Sequence, residues 1–172
     1  MHNGGIANFI AIKRHLRHLL EDDIYNWIQG ETDSEHLFAL FLQLSKGKDL
    51  TKISVVADVL EATLEKINQL VAKYSDSSEP SYFNVCLTNG EQIWATRYCS
   101  DKKITPETLH YSVGKSFVEK DGRYHMLPSN GKPGSILIAS EKLTTFHTEW
   151  QNAPANHLLI VDSDLSIQLR PL

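Results

Sequence analysis

The chain has 172 residues, 41% of them hydrophobic and 22% charged, with a formal net charge of −4. That length fits one domain with a real core, and the composition is that of an ordinary globular protein. The acidic balance excludes the basic footprint of a nucleic-acid binder. No apolar run reaches a membrane span, and two cysteines make no disulfide framework. The N-terminus shows no basic flank followed by an apolar core, so a reducing, cytoplasmic setting is expected.

In chain order, Met1-His2-Asn3-Gly4-Gly5 comes first. An Asn-Gly pair reads either as a turn or as an amide and a backbone N–H offered to a developing oxyanion. Residues 8–20 have helical spacing, with Phe9, Ile12, Leu16, Leu19 and Leu20 on one face and Lys13, Arg14, Arg17 and His18 on the other. Asp22 and Asp23 start a short second helix that Gly30 stops.

Thr32-Asp33-Ser34-Glu35 opens a third helix, 32–44. It matches a capping box, with the hydroxyl bonding the third N–H and the carboxylate reaching back to the cap. Asp33 complements the helix dipole there. Held in a first turn, it is also placed rigidly enough to serve a site. Leu37, Leu40, Phe41 and Leu44 form the buried stripe, and Lys46-Gly47-Lys48 ends the helix. Residues 50–74 form the longest helix, with Ile53, Val56, Leu60, Leu64, Ile67, Val71 and Tyr74 at steps of three and four.

After the polar stretch 75–80 the period becomes strand-like. Residues 82–87 and 92–98 form a hairpin around Asn89-Gly90, whose residues suit a type I′ turn. In that register Cys86 faces Ile93 and Cys99 lies near Pro80, too far for a disulfide at ~3.3 Å per residue. Strands follow at 110–113 and 123–126 about a turn at Lys120-Asp121-Gly122. Residues 129–134 form a loop, 135–139 a short buried strand, and 150–156 an irregular segment. A C-terminal hairpin pairs 157–161 with 165–169. Helices first and mostly antiparallel strands afterwards make an α+β plan. A solitary sheet with helices on one face satisfies it, as does half of a four-layer sandwich.

His15 and His18 sit among cations, without a paired carboxylate, and read as a solvated face rather than a metal site. His36 reads as packed or exposed. Neither Cys86 nor Cys99 lies where its pKa would fall, and no Walker loop, GxGxxG or zinc-binding pair occurs. No cofactor is implied.

His2-Asn3-Gly4-Gly5-Ile6, Phe9, Lys13 and residues 30–42 resemble class II glutamine amidotransferases, which are N-terminal-nucleophile hydrolases. Ala95-Thr96-Arg97-Tyr98, residues 139–144 and Trp150 extend the likeness over nearly the whole chain. The branch resembled includes the amidotransferase-like subunit of the cytosolic glutathione-degradation complex and ergothioneine-pathway hydrolases. The resemblance implies one glutamine amidotransferase type 2-like domain over 1–172, as the C-terminal part of an incomplete αββα sandwich. It makes Asn3 and Gly4 the oxyanion-hole pair and Asp33 the carboxylate that holds the substrate's α-amino group. The three are expected around one glutamyl-sized hollow.

The family's nucleophilic cysteine, and the arginine that binds the substrate carboxylate, belong to a segment that would precede Met1. The chain by itself is therefore expected to be inactive. The implied substrate is a γ-glutamyl small molecule, glutathione or glutamine, and the implied partner a metallopeptidase-like subunit. Neither nucleic acid nor membrane is an expected partner. The alternative is a non-catalytic interaction protein, which the lack of an N-terminal Cys, Ser or Thr favours.

Overall fold

Strand β1 (His2–Gly5) opens the chain, and α1 (Phe9–Arg17) follows, with Ile12 and Leu16 buried. The computed structural model describes residues 1–120, 122–144 and 149–172. Helix α1 stops at Arg17, three residues short of the expected end, and a turn bonding Leu19 and Leu20 amides to Leu16 and Arg17 carbonyls completes the segment. That turn rotates Leu19 off the apolar face, and it is exposed. His18 is exposed, and His15 is half-buried with its ring stacked on the exposed Tyr74 at 3.6 Å.

Helix α2 (Asp22–Trp27) is short. Helix α3 (Asp33–Ser45) is capped by Thr32, whose hydroxyl accepts from the Glu35 N–H at 3.3 Å. The other half of the expected capping box is absent. The Glu35 carboxylate accepts instead from the Gln29 and Gly30 amides, each at 2.7 Å. The chain leaving α2 presents those two donors, and their bonds fix the approach to α3. Helix α4 (Ile53–Tyr74) starts three residues later than expected. Asp49 Oδ1 accepts from the Thr51 hydroxyl at 2.6 Å and the Thr51 amide at 3.2 Å, and this Asx turn competes with helix.

The strands are β2 (Tyr82–Thr88), β3 (Ile93–Cys99), β4 (His110–Gly114), β5 (Ser116–Lys120), β6 (Arg123–Leu127), β7 (Ser135–Ala139), β8 (Gln151–Asn152), β9 (His157–Val161) and β10 (Ile167–Pro171). The chain divides into two compact units. One comprises Met1–Phe83 with Cys99–Ile104, and the other Asn84–Tyr98 with Thr105–Leu172.

In the first unit α1, α3 and α4 pack on one another. They bury Ile12, Leu16, Leu37, Leu40, Leu60, Leu64 and Ile67, each worth roughly 1.5–3 kcal/mol of transfer free energy. In the second unit β2, β3, β9 and β10 are neighbours in that order, and β7, β4 and β8 form a three-stranded sheet. Strand β3 pairs antiparallel with β9, β9 with β10, and β4 with both β7 and β8. Ala95, Leu109, Tyr111, Ala153, Leu159 and Val161 make a core cluster there. Arg97 ties this unit together by donating to the carbonyls of Pro106, Glu107 and Ala153 at 3.1, 2.9 and 2.7 Å.

The α+β plan with helices before antiparallel strands holds. Several details differ. At the β2–β3 connection Gly90 has φ +96° but Asn89 has no positive φ. Asn89 Oδ1 accepts from the Glu91 and Gln92 amides, so the loop is longer than a type I′ turn. Strand β5 was not expected, because Ser116-Phe117-Val118-Glu119-Lys120 carries little alternation; it pairs with β6. Asp121, in the turn expected between strands 110–113 and 123–126, lies outside the described residues. Strand β7 is half-buried rather than buried, since it is an edge of its sheet. Strand β10 begins two residues late because Leu165 takes φ +63° in the preceding turn. Gln151–Asn152 adds a short strand where the sequence reads as irregular. Neither cysteine forms a disulfide.

Candidate functional site

Asn3 and Gly4 lie exposed on β1. Gly4 has φ +145°, and a Cβ there would stand 2.2 Å from the Tyr82 carbonyl oxygen. Both conditions demand glycine. The peptide carrying the expected oxyanion N–H is therefore held in a conformation that other residues would not adopt.

Asp33 reaches this strand from the first turn of α3. Its Oδ2 accepts from the Ile6 N–H at 2.9 Å, and its Oδ1 from the Ser34 N–H at 2.7 Å. A methyl on Gly5 would sit 3.6 Å from Oδ2. The carboxylate thus lies against the end of the segment that carries Asn3 and Gly4, with lone pairs left on both oxygens. A hollow of about 460 Å³ opens alongside, lined by Gly5, Ile6, Ala7, Asn8, Glu79, Pro80 and Tyr82. None of Asn3, Gly4 and Asp33 lines it, so it is not the single hollow expected around the three; it meets the Ile6 segment to which Asp33 is bonded.

Three further groups build the site. His2 Nδ1 is 2.9 Å from Ser34 Oγ and its Nε2 is 3.2 Å from the Tyr82 carbonyl oxygen, with Phe83 stacked on the ring. Ser81 Oγ accepts from the Ala7 N–H at 2.9 Å. The Ile6 N–H that holds Asp33 leaves no mark in the sequence, since any residue has one. His2 and Ser34 each adjoin an expected site residue, which was the available signal.

One turn beyond Asp33, His36 is fully buried. Its Nε2 accepts from Arg17 Nε at 2.9 Å and its Nδ1 is 2.7 Å from the Thr32 carbonyl oxygen. Arginine only donates and a carbonyl only accepts, so the ring is neutral with its hydrogen on Nδ1. Burial, with the nearby Arg17 and Lys13 charges adding to it, lowers the imidazole pKa. Lys13 and Arg17 pair with Glu31 at the surface. These contacts seat α3, and through it Asp33, on α1.

Burial pushes the Cys86 thiol up, the wrong direction for a nucleophile. Among the described residues no group of three or more His, Cys, Asp or Glu side chains could hold a metal ion, and no helix is long and apolar enough to cross a membrane.

The whole chain aligns with the probable glutamine amidotransferase DUG3 of Saccharomyces cerevisiae, at 34% identity over 185 residues. It spans 51% of that relative. Among solved structures it superposes over its full length on a glutamine aminotransferase class-II domain protein from Silicibacter pomeroyi. The TM-score is 0.67 at 20% identity, and 66% of that chain is covered. No family model matches.

Proposed function

The chain is class II glutamine amidotransferase-like, and from that premise we propose that the protein carrying it cleaves a γ-glutamyl amide bond. The Asn3 amide and the Gly4 N–H stabilise the oxyanion, and Asp33 receives the α-ammonium of the γ-glutamyl group. One observation carries this reading: the bond from the Ile6 N–H to Asp33 Oδ2, which docks the carboxylate onto the segment that carries the Asn-Gly pair.

Attack on the side-chain carbonyl drives negative charge onto its oxygen. Two fixed donors at that point lower the barrier because they need no reorganisation as charge develops. The ammonium–carboxylate contact sets the distance between the α-carbon and the reacting carbonyl, which is the positional half of catalysis. The attacking thiolate that the family resemblance implies comes from an N-terminal cysteine activated by its own amine. Released amine leaves a γ-glutamyl thioester, and water hydrolyses it.

The finer reading takes glutathione or glutamine as substrate, a metallopeptidase-like subunit as partner and the cytoplasm as location. It rests on the likeness of the opening and Thr32–Glu35 motifs to the glutathione-degrading branch. The test uses the full-length protein and γ-glutamyl release from glutathione and glutamine. Asp33→Ala is expected to raise KM and lower kcat/KM, and Asn3→Ala to lower kcat by ~10²–10³. Unchanged kcat/KM in Asp33→Ala overturns the assignment.

A second reading, a non-catalytic binding subunit, is favoured by one feature. Ile10 on α1 is 89% exposed, and Tyr25 and Trp27 on α2 are also exposed. A full-length protein that binds a partner yet releases no glutamate from any γ-glutamyl compound supports it.

A further inference from the structure

We propose that His2 and Ser34 are positioning residues for Asp33: the imidazole holds the Ser34 hydroxyl away from the carboxylate and leaves Asp33 Oδ1 open to a substrate ammonium. The proposal rests on the amidotransferase reading and adds two side chains to the three already placed.

The argument is one of counting hydrogens. His2 Nε2 lies 3.2 Å from the Tyr82 carbonyl oxygen, which can only accept, so Nε2 carries a hydrogen. In the neutral ring Nδ1 is then an acceptor, and the Ser34 hydroxyl 2.9 Å away donates to it. The same hydroxyl lies 3.4 Å from Asp33 Oδ1. There is one hydroxyl hydrogen and there are two acceptors, and His2 decides between them.

Protonating His2 turns Nδ1 into a donor. It then gives its hydrogen to Ser34 Oγ, and the hydroxyl hydrogen swings to Asp33 Oδ1. That oxygen already accepts the Ser34 N–H at 2.7 Å, while Oδ2 accepts the Ile6 N–H at 2.9 Å. A carboxylate offers about four lone-pair sites, so the hydroxyl takes one that the ammonium would otherwise use. Phe83, stacked at 5.9 Å and 27°, fixes the plane of the ring. Besides Asp33, the titratable groups on the elements packed against His2 are Glu35 and His36 on α3 and the Tyr82 phenol and Cys86 thiol on β2, and the amino terminus is one residue away. Glu35 is occupied by the Gln29 and Gly30 amides.

The first test needs no activity. The ¹³C resonance of the Asp33 carboxyl carbon and the ¹⁵N resonances of His2 are followed against pH in this chain. The carboxyl carbon is expected to show an inflection at the pH where His2 titrates. Ser34→Ala should remove that inflection, and Ser34→Thr, which keeps a hydroxyl, should retain it. A wild type without the inflection overturns the proposal. So does an inflection that survives in Ser34→Ala, since the His2 charge would then act directly through space.

The second test uses the full-length protein with γ-glutamyl-p-nitroanilide as probe. KM is expected to rise several-fold as His2 becomes protonated, with kcat little changed, and Ser34→Ala should abolish that rise. An equal rise in Ser34→Ala overturns the hydroxyl's role. Failure of the full-length protein to cleave the probe, with the NMR coupling intact, overturns the amidotransferase reading and the substrate half of this proposal together.

Discussion

Alanine at Gly4 tests whether the backbone of the opening strand is as constrained as its geometry requires. The new Cβ would stand 2.2 Å from the Tyr82 carbonyl oxygen and 2.8 Å from the Tyr82 carbonyl carbon, at a residue with φ +145°. A carbonyl in a strand cannot rotate aside as a flexible side chain can, so β1 or β2 must move. Holding a non-glycine residue in that region of φ costs ~1–3 kcal/mol, and forcing an extra methyl into a filled space costs ~1–3 kcal/mol more. A loss of ~2–6 kcal/mol is a large share of the ~5–15 kcal/mol that stabilises a typical domain. Urea unfolding followed by circular dichroism should show the midpoint fall with the slope unchanged. Gly5→Ala is the control. Its Cβ would meet Asp33 Oδ2 at 3.6 Å, an ordinary contact, without positive φ, and its change should stay within ~0.5 kcal/mol. A Gly4→Ala protein as stable as the control would refute the argument.

Two other outcomes follow from the structure, besides the kinetic effects of Asp33→Ala and Asn3→Ala and the Ser34 variants already described. His36 titrates below its ordinary value of 6.5, so between its folded pKa and about 6.5 the unfolded chain binds the extra proton. Its contribution to stability is therefore full above that window and is lost as pH falls through it. Urea midpoints at about pH 7.5 and 5.5 should differ more in the wild type than in His36→Gln; equal differences would remove His36 from the account. Arg97→Lys keeps the charge but cannot reach three carbonyls in one plane. It should lower stability by ~1–3 kcal/mol, the cost of leaving partly buried acceptors unsatisfied. A thermal unfolding midpoint equal to that of the wild type contradicts it.

The sequence by itself determined the helices and most of the strands, because periodicity is written into the chain. Ile12 and Leu16 on α1, and Val56, Leu60, Leu64 and Ile67 on α4, fall at helical spacing and are buried. Capping by Thr32 was equally local. Boundaries were not determined where a side chain rebinds the backbone, as at Asp49 before α4 and Asn89 after β2, since such bonds compete with regular structure over only a few residues. The identities of Asn3, Gly4 and Asp33 were readable, but their relation was not. Asp33 meets the backbone N–H of Ile6, 27 positions away, and an N–H has no residue type to betray it. Only the tertiary structure decided that Gly4 must be glycine, because the carbonyl that excludes a side chain belongs to Tyr82. Only it placed the Ser34 hydroxyl within reach of both His2 Nδ1 and Asp33 Oδ1, a condition set by distances that no spacing in the chain records.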